Sequence, residues 1–333
     1  MNIPLLKFAP GFVFVSFLGI IAFLLAHFFT LPLMLMAIFT GFCFFSQYQS
    51  NSMAIQPGID MVGSFILRTG VALLGLRISF QDVQELGWIL CLVTFCLVLL
   101  TILLGVGLAK LLRQEWGLGI LSGCAVGICG VSAAMAVFAT LPEFKNKQQS
   151  LTVVLLGIAF LSTMGMLTYP WLAHALDLSP TQAGFFLGSS IHDVAQVVGA
   201  GYTLSEETGD RAILVKLIRV SALVPILLFL GAAVAQKQSQ SQSTSKTSAL
   251  PPTFLIIFFL LLLLNSFVPL PAFITDMAEQ LSKLCIFLAI ITVGLKFKPM
   301  GIFAVGFRPF IILFAETMLL AGLSILIVLW LAQ

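Results

Sequence analysis

Apolar residues fill the chain in runs of about 20, the length at which a helix rising 1.5 Å per residue crosses the hydrocarbon of a bilayer. Charges, prolines and short polar clusters separate eleven such runs, at roughly 11–29, 32–46, 58–77, 87–110, 117–140, 150–172, 181–204, 211–235, 251–269, 277–297 and 304–331. Their length and continuity predict helices, hence an all-α polytopic membrane protein with ten or eleven transmembrane helices. The second run is short, and the polar stretch after it (QYQSNSMAIQP, 47–57) fits a helical hairpin that does not fully cross. A single low-complexity stretch, QKQSQSQSTSKTSALPP at 236–252, has a composition that buries no apolar area. It reads as a flexible polar cytoplasmic loop within one transmembrane transport domain, 1–333, because the three runs after it are too few to stand alone.

Two runs depart from uniform apolarity. The fifth reads GLGILSGCAVGICGVSAAMAVF, with glycines at 117, 119, 123, 127 and 130. Gly123 and Gly127 form a GxxxG suited to close helix packing. The same glycines allow a break near Gly127–Ser132, where freed N–H groups and the positive end of a second half-helix would face an anion, with Ser132 able to cap it. Irregular backbone at membrane depth survives where it lines a cavity. The seventh run carries GSSIHDVAQVVGAG at 188–201. On a continuous helix Ser189, Asp193 and Gln196 share a face, with His192 beside them. An ionised carboxylate there costs about 2.5–3.5 kcal/mol on insertion scales, so Asp193 should face the interior. It is either the structural partner of an Arg or His or, the reading preferred, a coupling or substrate site.

Four further charges lie within runs. Arg68 is too deep to reach an interface and is expected to face the interior, pairing with Asp193 or binding an anion. Lys216 reads as a side chain snorkelling to the interface, and Arg219, one turn on, as a second source of charge for an anion. Glu316 stands mid-run in the last helix without an obvious partner.

Composition narrows the function classes. Hydrophobic residues make up 60% and charged residues 9% of 333, against roughly 25% charged in soluble domains, too few for a water-facing surface. The net charge of +3 is scattered, which argues against nucleic acid as a partner. Six cysteines without a CxxC pair indicate neither disulfides nor a metal site. The absence of GxxxxGK(S/T) argues against ATP-driven pumping by this chain, and the absence of GxSxG or a paired intramembrane aspartate against an enzyme. Residues 1–29 read as a retained first helix. Counting alternate loops places Lys7, Lys110, Arg113, Lys237, Lys246, Lys296, Lys298 and Arg308 on the amino-terminal side, against Arg77, Lys145, Lys147, Arg211 and Lys283. This bias favours a cytoplasmic amino terminus.

Phe65–Asp82 (FILRTGVALLGLRISFQD) and Leu284–Gly301 (LCIFLAIITVGLKFKPMG) both close an apolar helix with Gly-Leu-(Arg/Lys), on opposite sides by that count. Inverted-topology repeats have this form, although a basic residue closing an apolar helix is also common at interfaces. Four ordered motifs, GLRISFQDV (75–83), GCAVGICGVSAAMA (123–136), GSSIHDVAQVVGAG (188–201) and AILVKLIRV (212–220), resemble signatures of the sulfate exporter family of bacterial inner-membrane proteins. That family is grouped with bile-acid/sodium symporter-like and sodium/proton antiporter-like carriers. The resemblance implies inverted repeats with discontinuous helices crossing near the midplane. The two repeat-like segments here lie seven runs apart, where the simplest bile-acid-type arrangement has five.

The expectation is a secondary active transporter of a small anion, sulfate or a related sulfur-containing anion, in the bacterial inner membrane. A passive anion channel, or less readily an intramembrane enzyme, is the alternative. The substrate-binding set is Gly127, Gly130, Ser132, Ser189, Ser190, Arg68 and Arg219; the ion-coupling set is Asp193, His192 and Gln196. No cofactor or metal is expected beyond Na⁺ or H⁺ as coupling ion. The partners are the anion and the lipid bilayer, with a homodimer left open.

Overall fold

A computed structural model describes residues 7–29, 33–50, 52–77, 81, 84, 87–238, 253–268, 270–296 and 307–331. All eleven runs are helical there, and no strand occurs among the described residues. Most of the 236–252 loop, and the ends of both repeat-like segments beyond Arg77 and Lys296 apart from Gln81, lie outside the described residues. The helices are α1 (Ala9–Phe29), α2 (Leu33–Cys43), α3 (Phe45–Ser50), α4 (Ser52–Met61), α5 (Leu67–Leu73), α6 (Trp88–Leu111), α7 (Trp116–Cys124) and α8 (Val131–Thr140). They continue as α9 (Lys147–Ala175), α10 (Pro180–Ser190), α11 (Val194–Leu204), α12 (Glu206–Ser221), α13 (Leu223–Gln238), α14 (Thr253–Phe267), α15 (Ala272–Lys296) and α16 (Phe307–Leu331). Among the described residues seven helical segments are long and apolar enough to cross a membrane alone: Ala9–Phe29, Met53–Leu76, Trp88–Leu111, Lys147–Ala175, Glu206–Val234, Phe273–Lys296 and Arg308–Trp330. Large apolar side chains such as Phe23, Leu103, Trp171 and Phe229 stand exposed on them, as lipid contact requires and water would penalise.

The chain forms two compact units. The first comprises Met1–Glu85, Val198–Asp210 and Thr253–Phe297; the second Leu86–Val197, Arg211–Pro252 and Lys298–Gln333. In the first unit, the segment from α4 to Arg77 and α15 are joined reciprocally. Arg77 at the end of one bonds Glu279 near the start of the other at 2.7 Å, and Lys296 at the end of the second bonds Asp60 on the first at 2.7 Å. The same interval separates Asp60 from Arg77 as Glu279 from Lys296. Gly75 and Gly294, also equivalent in this register, lie against Phe258 of α14 and Ile38 of α2 so closely that a Cβ would strike backbone. The repeat read from the sequence therefore has a physical counterpart in matched ion pairs and matched helix contacts.

At one end of this unit Arg77 also meets Asp210 at 3.0 Å and Glu206 at 3.4 Å, while Lys283 bonds Glu206 at 2.6 Å and Glu279 at 2.8 Å. Burial works against the charge of Arg77, but Asp210, Tyr202, Glu279 and Glu206 outweigh it and hold the guanidinium above its ordinary pKa. Arg68 corrects an expectation. It is exposed, and its guanidinium lies 6.0 Å from the centre of the Phe254 ring instead of facing the interior.

The second unit corrects the reading of the fifth run as a crossing. Trp116, at its start, packs on Phe144, just past its end, with ring centroids 5.9 Å apart. Gln114, Glu115 and Leu118 share one cleft with Asn146, Gln149, Ser150 and Val153. A continued α8 would end half a bilayer, about 15 Å, beyond the break. The four residues from Thr140 to Phe144 span at most about 14 Å and cannot return across the whole membrane. So α7 and α8 form a re-entrant hairpin that enters and leaves at one end. Lys145 and Lys147 thus share that end with Lys110 and Arg113. A crossing run and a hairpin have the same length in sequence, which is why the count of apolar residues does not separate them.

The seventh run is a second hairpin entering from the other end of α9. α10 starts just after Ala175, capped by Ser179 and Gln182 in a reciprocal capping box. It stops at Ser190, and α11 resumes at Val194. Gly188, one turn before the break, touches the Ala212 carbonyl and lies 2.8 Å by its missing Cβ from Val215. Ala212 in turn is one turn before Lys216, which reaches the break itself at Ile191. α12 therefore approaches the break from the end where α10 begins, so α11 has turned back to that end.

Candidate functional site

Both breaks fall where the glycines place them. α7 loosens into a π-turn over Ala125–Cys129 and ends at Gly130, whose φ of 65° and ψ of −124° only glycine adopts without strain. The second break covers Ile191–Asp193. The tips adjoin: a Cβ on Gly130 would stand 3.6 Å from the His192 carbonyl.

Ending two helices inside the protein leaves their last carbonyls without intrahelical donors. Unsatisfied, each would cost several kcal/mol in an apolar setting. Arg219, 1% exposed, supplies most of the donors. Its Nε donates to Gly127 O at 2.7 Å and its NH2 nitrogen to Val126 O at 2.6 Å. Its NH1 nitrogen donates to Gly188 O at 3.1 Å, Ser189 O at 2.7 Å and Ile191 O at 3.1 Å. Lys216, fully buried, donates to Ile128 O at 2.8 Å and Ile191 O at 2.9 Å. Two cations thus sit where the negative ends of two half-helices converge. Lys216 does not snorkel, and Arg219 holds carbonyls instead of presenting its donors to an anion. Gly127 contributes a carbonyl to this clamp.

The polar set of the second hairpin is distributed over different neighbours. Because the helix is interrupted, Ser189, Asp193 and Gln196 do not share a face. Ser189 Oγ donates to Phe185 O at 2.6 Å and lies 2.8 Å from Ser324 Oγ on α16. Ser190 Oγ donates to Phe186 O. Both serines are fully buried, with their protons committed to their own helix. Asp193 caps α11, its Oδ1 accepting from the Ala195 N–H at 2.8 Å, while its own N–H donates to Ser162 Oγ at 3.1 Å. Gln196 Nε2 donates to Thr163 Oγ1 at 2.8 Å, and its Oε1 is buried without a hydrogen-bond partner. His192 turns away from Asp193. Its Nδ1 donates to Val126 O at 3.2 Å, since a carbonyl only accepts, and its Nε2 shares a hydrogen bond with Thr317 Oγ1 at 2.9 Å.

Ser132 stands exposed at the start of α8, beside an exposed Val131, and Gly130 offers that half-helix no side-chain cap. Sequence reasoning missed Ser122, Ser162, Thr163, Thr317 and Ser324. Single hydroxyls in apolar helices are common, and what distinguishes these is the partner each one meets: Glu316, Asp193, Gln196, His192 and Ser189 respectively.

The model of the family described as conserved hypothetical protein 698 matches residues 10–313. The chain belongs to this family. It is 40% identical to the UPF0324 membrane protein CT0845 of Chlorobaculum tepidum, over 90% of this chain and 84% of that one. It is 37% identical to the UPF0324 membrane protein TauZ of Paracoccus denitrificans, over 94% and 92%. A UPF0324 membrane protein of Staphylococcus epidermidis is 28% identical over 96% of both chains. No solved structure matches. The chain is accordingly a bacterial multi-pass membrane protein, helical throughout its described core.

Proposed function

We propose that the chain is a secondary active transporter of a small anion, which binds between the two hairpin tips. One observation carries this reading: the negative half-helix ends are occupied by Arg219 and Lys216, while the positive end of α8 is left uncapped beside an exposed Ser132. N–H groups at a helix start, next to two buried cations, suit an anion and repel a cation. The anion would meet the N–H groups after Gly130 and the Ser132 hydroxyl. Ser189, Ser190, Gly127 and Arg219 would shape the site from behind, and Arg68 has no part in it. Asp193 and Gln196, facing Ser162 and Thr163, would take the coupling ion, H⁺ or Na⁺, with His192 fixing the tip.

If the two hairpins do not cross and each of the other nine runs does, the loops regroup. Lys7, Lys110, Arg113, Lys145, Lys147, Lys237, Lys246, Lys296, Lys298 and Arg308 then fall on one side, against Arg77, Arg211 and Lys283. Ten against three favours a cytoplasmic amino terminus more strongly than eight against five. The same recount places the two ion-paired helices five crossings apart, the separation implied by the bile-acid-type resemblance. For the substrate, sulfate or a related sulfur-containing anion is the reading the resemblance supports, and two relatives carry the taurine-related name TauZ.

Proteoliposomes offered sulfate, sulfite, thiosulfate, a small sulfonate and a small carboxylate, with and without Na⁺, test it. At least one anion should show saturable counterflow, and Ser132→Ala should raise its half-saturation concentration. Flux linear in concentration would make the protein a channel, and no flux with any of them would overturn the reading.

A further inference from the structure

We propose that Glu316 is a proton-binding site that links the two hairpins through α16, a refinement that rests on the transport reading above. Glu316 is fully buried. Ser122 Oγ, on the entering half of the first hairpin, donates to its Oε1 at 2.8 Å. Its Oε2 is buried with no hydrogen-bond partner, and no Lys or Arg forms an ion pair with it among the described residues. The space is built: a Cβ on Gly105 of α6 would land on Oε1, so glycine there leaves the volume that the carboxyl fills. Cys124 on α7 is an ionisable group within electrostatic reach of it, and α6 meets the carboxyl at Gly105. An isolated carboxylate in such a setting is costly, and a proton is the ligand that neutralises it without needing further oxygens around it.

The neighbouring residues give this site leverage. Thr317, next in sequence, holds His192 at the tip of the second hairpin, and two turns on Ser324 meets Ser189 of the same hairpin. Adjacent positions of one helix thus grip different hairpins. Gaining or losing a proton at Glu316 alters the hold on Ser122 while Thr317 stays on His192. Proton binding is then coupled to the relative position of the two tips.

Infrared difference spectra of the purified protein between acidic and alkaline pH read the site without any substrate. The wild type should show a carboxyl C=O band that titrates, lost in Glu316→Gln and shifted in frequency in Ser122→Ala, which removes its hydrogen bond. Should Glu316→Gln not fold, the Ser122→Ala shift alone decides. Identical spectra in wild type and variants, or a carboxyl band that never titrates, would overturn the proposal. A titrating band in a protein that moves none of the tested anions would leave the proton site standing and remove the transporter reading.

Discussion

The two units handle charge in opposite ways. In the first, Asp60, Arg77, Glu206, Asp210, Glu279, Lys283 and Lys296 are paired, acid to base, most of them near helix ends and all partly exposed. In the second, Arg219 and Lys216 are buried and answered by backbone carbonyls, and Glu316 by one serine. Paired end charges fix how helices register, and they are cheap to keep because both partners remain partly hydrated. Charges buried against broken helices are costly, and they persist only if the break itself is needed. On the transport reading proposed above, the first unit would brace and the second would bind.

The largest effect expected from breaking this contrast is at Arg219. Arg219→Ala leaves five hydrogen bonds unmade at two helix ends, and removing one partner from a buried charged network costs about 3–5 kcal/mol. The variant should fail to yield folded protein by size exclusion. Arg219→Lys keeps the charge but not the fork of donors and should recover only part of the melting temperature. A fully stable Arg219→Ala would mean that the carbonyls have other partners and the clamp is not what holds the tips.

Gly130→Ala comes next. A side chain at φ 65°, ψ −124° is strained by about 1–3 kcal/mol, and its Cβ would also stand 3.2 Å from Ile158. The protein should fold with a lower melting temperature and lose saturable flux, because the strain is relieved by moving the tip. An unchanged melting temperature would show that the backbone at Gly130 is not held in this conformation.

These two residues also mark how far the sequence is legible. Gly130 and the 188–193 cluster announce breaks, because glycine and polar residues are seldom tolerated together in an apolar run at membrane depth unless the helix opens there. That each broken run turns back is not legible, since ten residues after a break look the same whichever way they go. The positive residues were visible but their purpose was not. Lys216 resembles any lysine near a helix end until the chain around Ile191 is seen to need donors. Glu316 likewise lacked a partner because Ser122 lies far away in sequence. Conversely, the ion pairs of the first unit were foreshadowed by the matching Gly-Leu-Arg and Gly-Leu-Lys endings.

A smaller change in stability, with a larger one in function, is expected at Asp193. Asparagine caps a helix about as well as aspartate, so Asp193→Asn should shift stability by less than about 1 kcal/mol. If the carboxylate takes the coupling ion, gradient-driven flux should stop while equilibrium exchange continues. Undiminished driven flux in a stable variant would reduce Asp193 to a cap.

The smallest effect is reserved for the reciprocal ion pairs. Asp60 and Lys296 are 52% and 38% exposed, Arg77 and Glu279 only 21% and 30%. Hydrated pairs contribute about 0–1 kcal/mol. A double-mutant cycle with Asp60→Asn and Lys296→Gln should accordingly give a coupling of a few tenths of a kcal/mol, fading with added salt. The Arg77→Gln and Glu279→Gln cycle should give more, since that pair is less hydrated and Asp210 and Lys283 tie it into a network. If the two couplings are equal, or if neither variant affects flux more than the other, the first unit is symmetric in energy as well as in sequence. If only the Arg77 pair matters, the network that also holds Glu206 and Asp210, at the turn between α11 and α12, is where bracing is concentrated. That turn follows directly from the second hairpin, so loosening it should change flux more than loosening the Asp60 end at equal loss of stability.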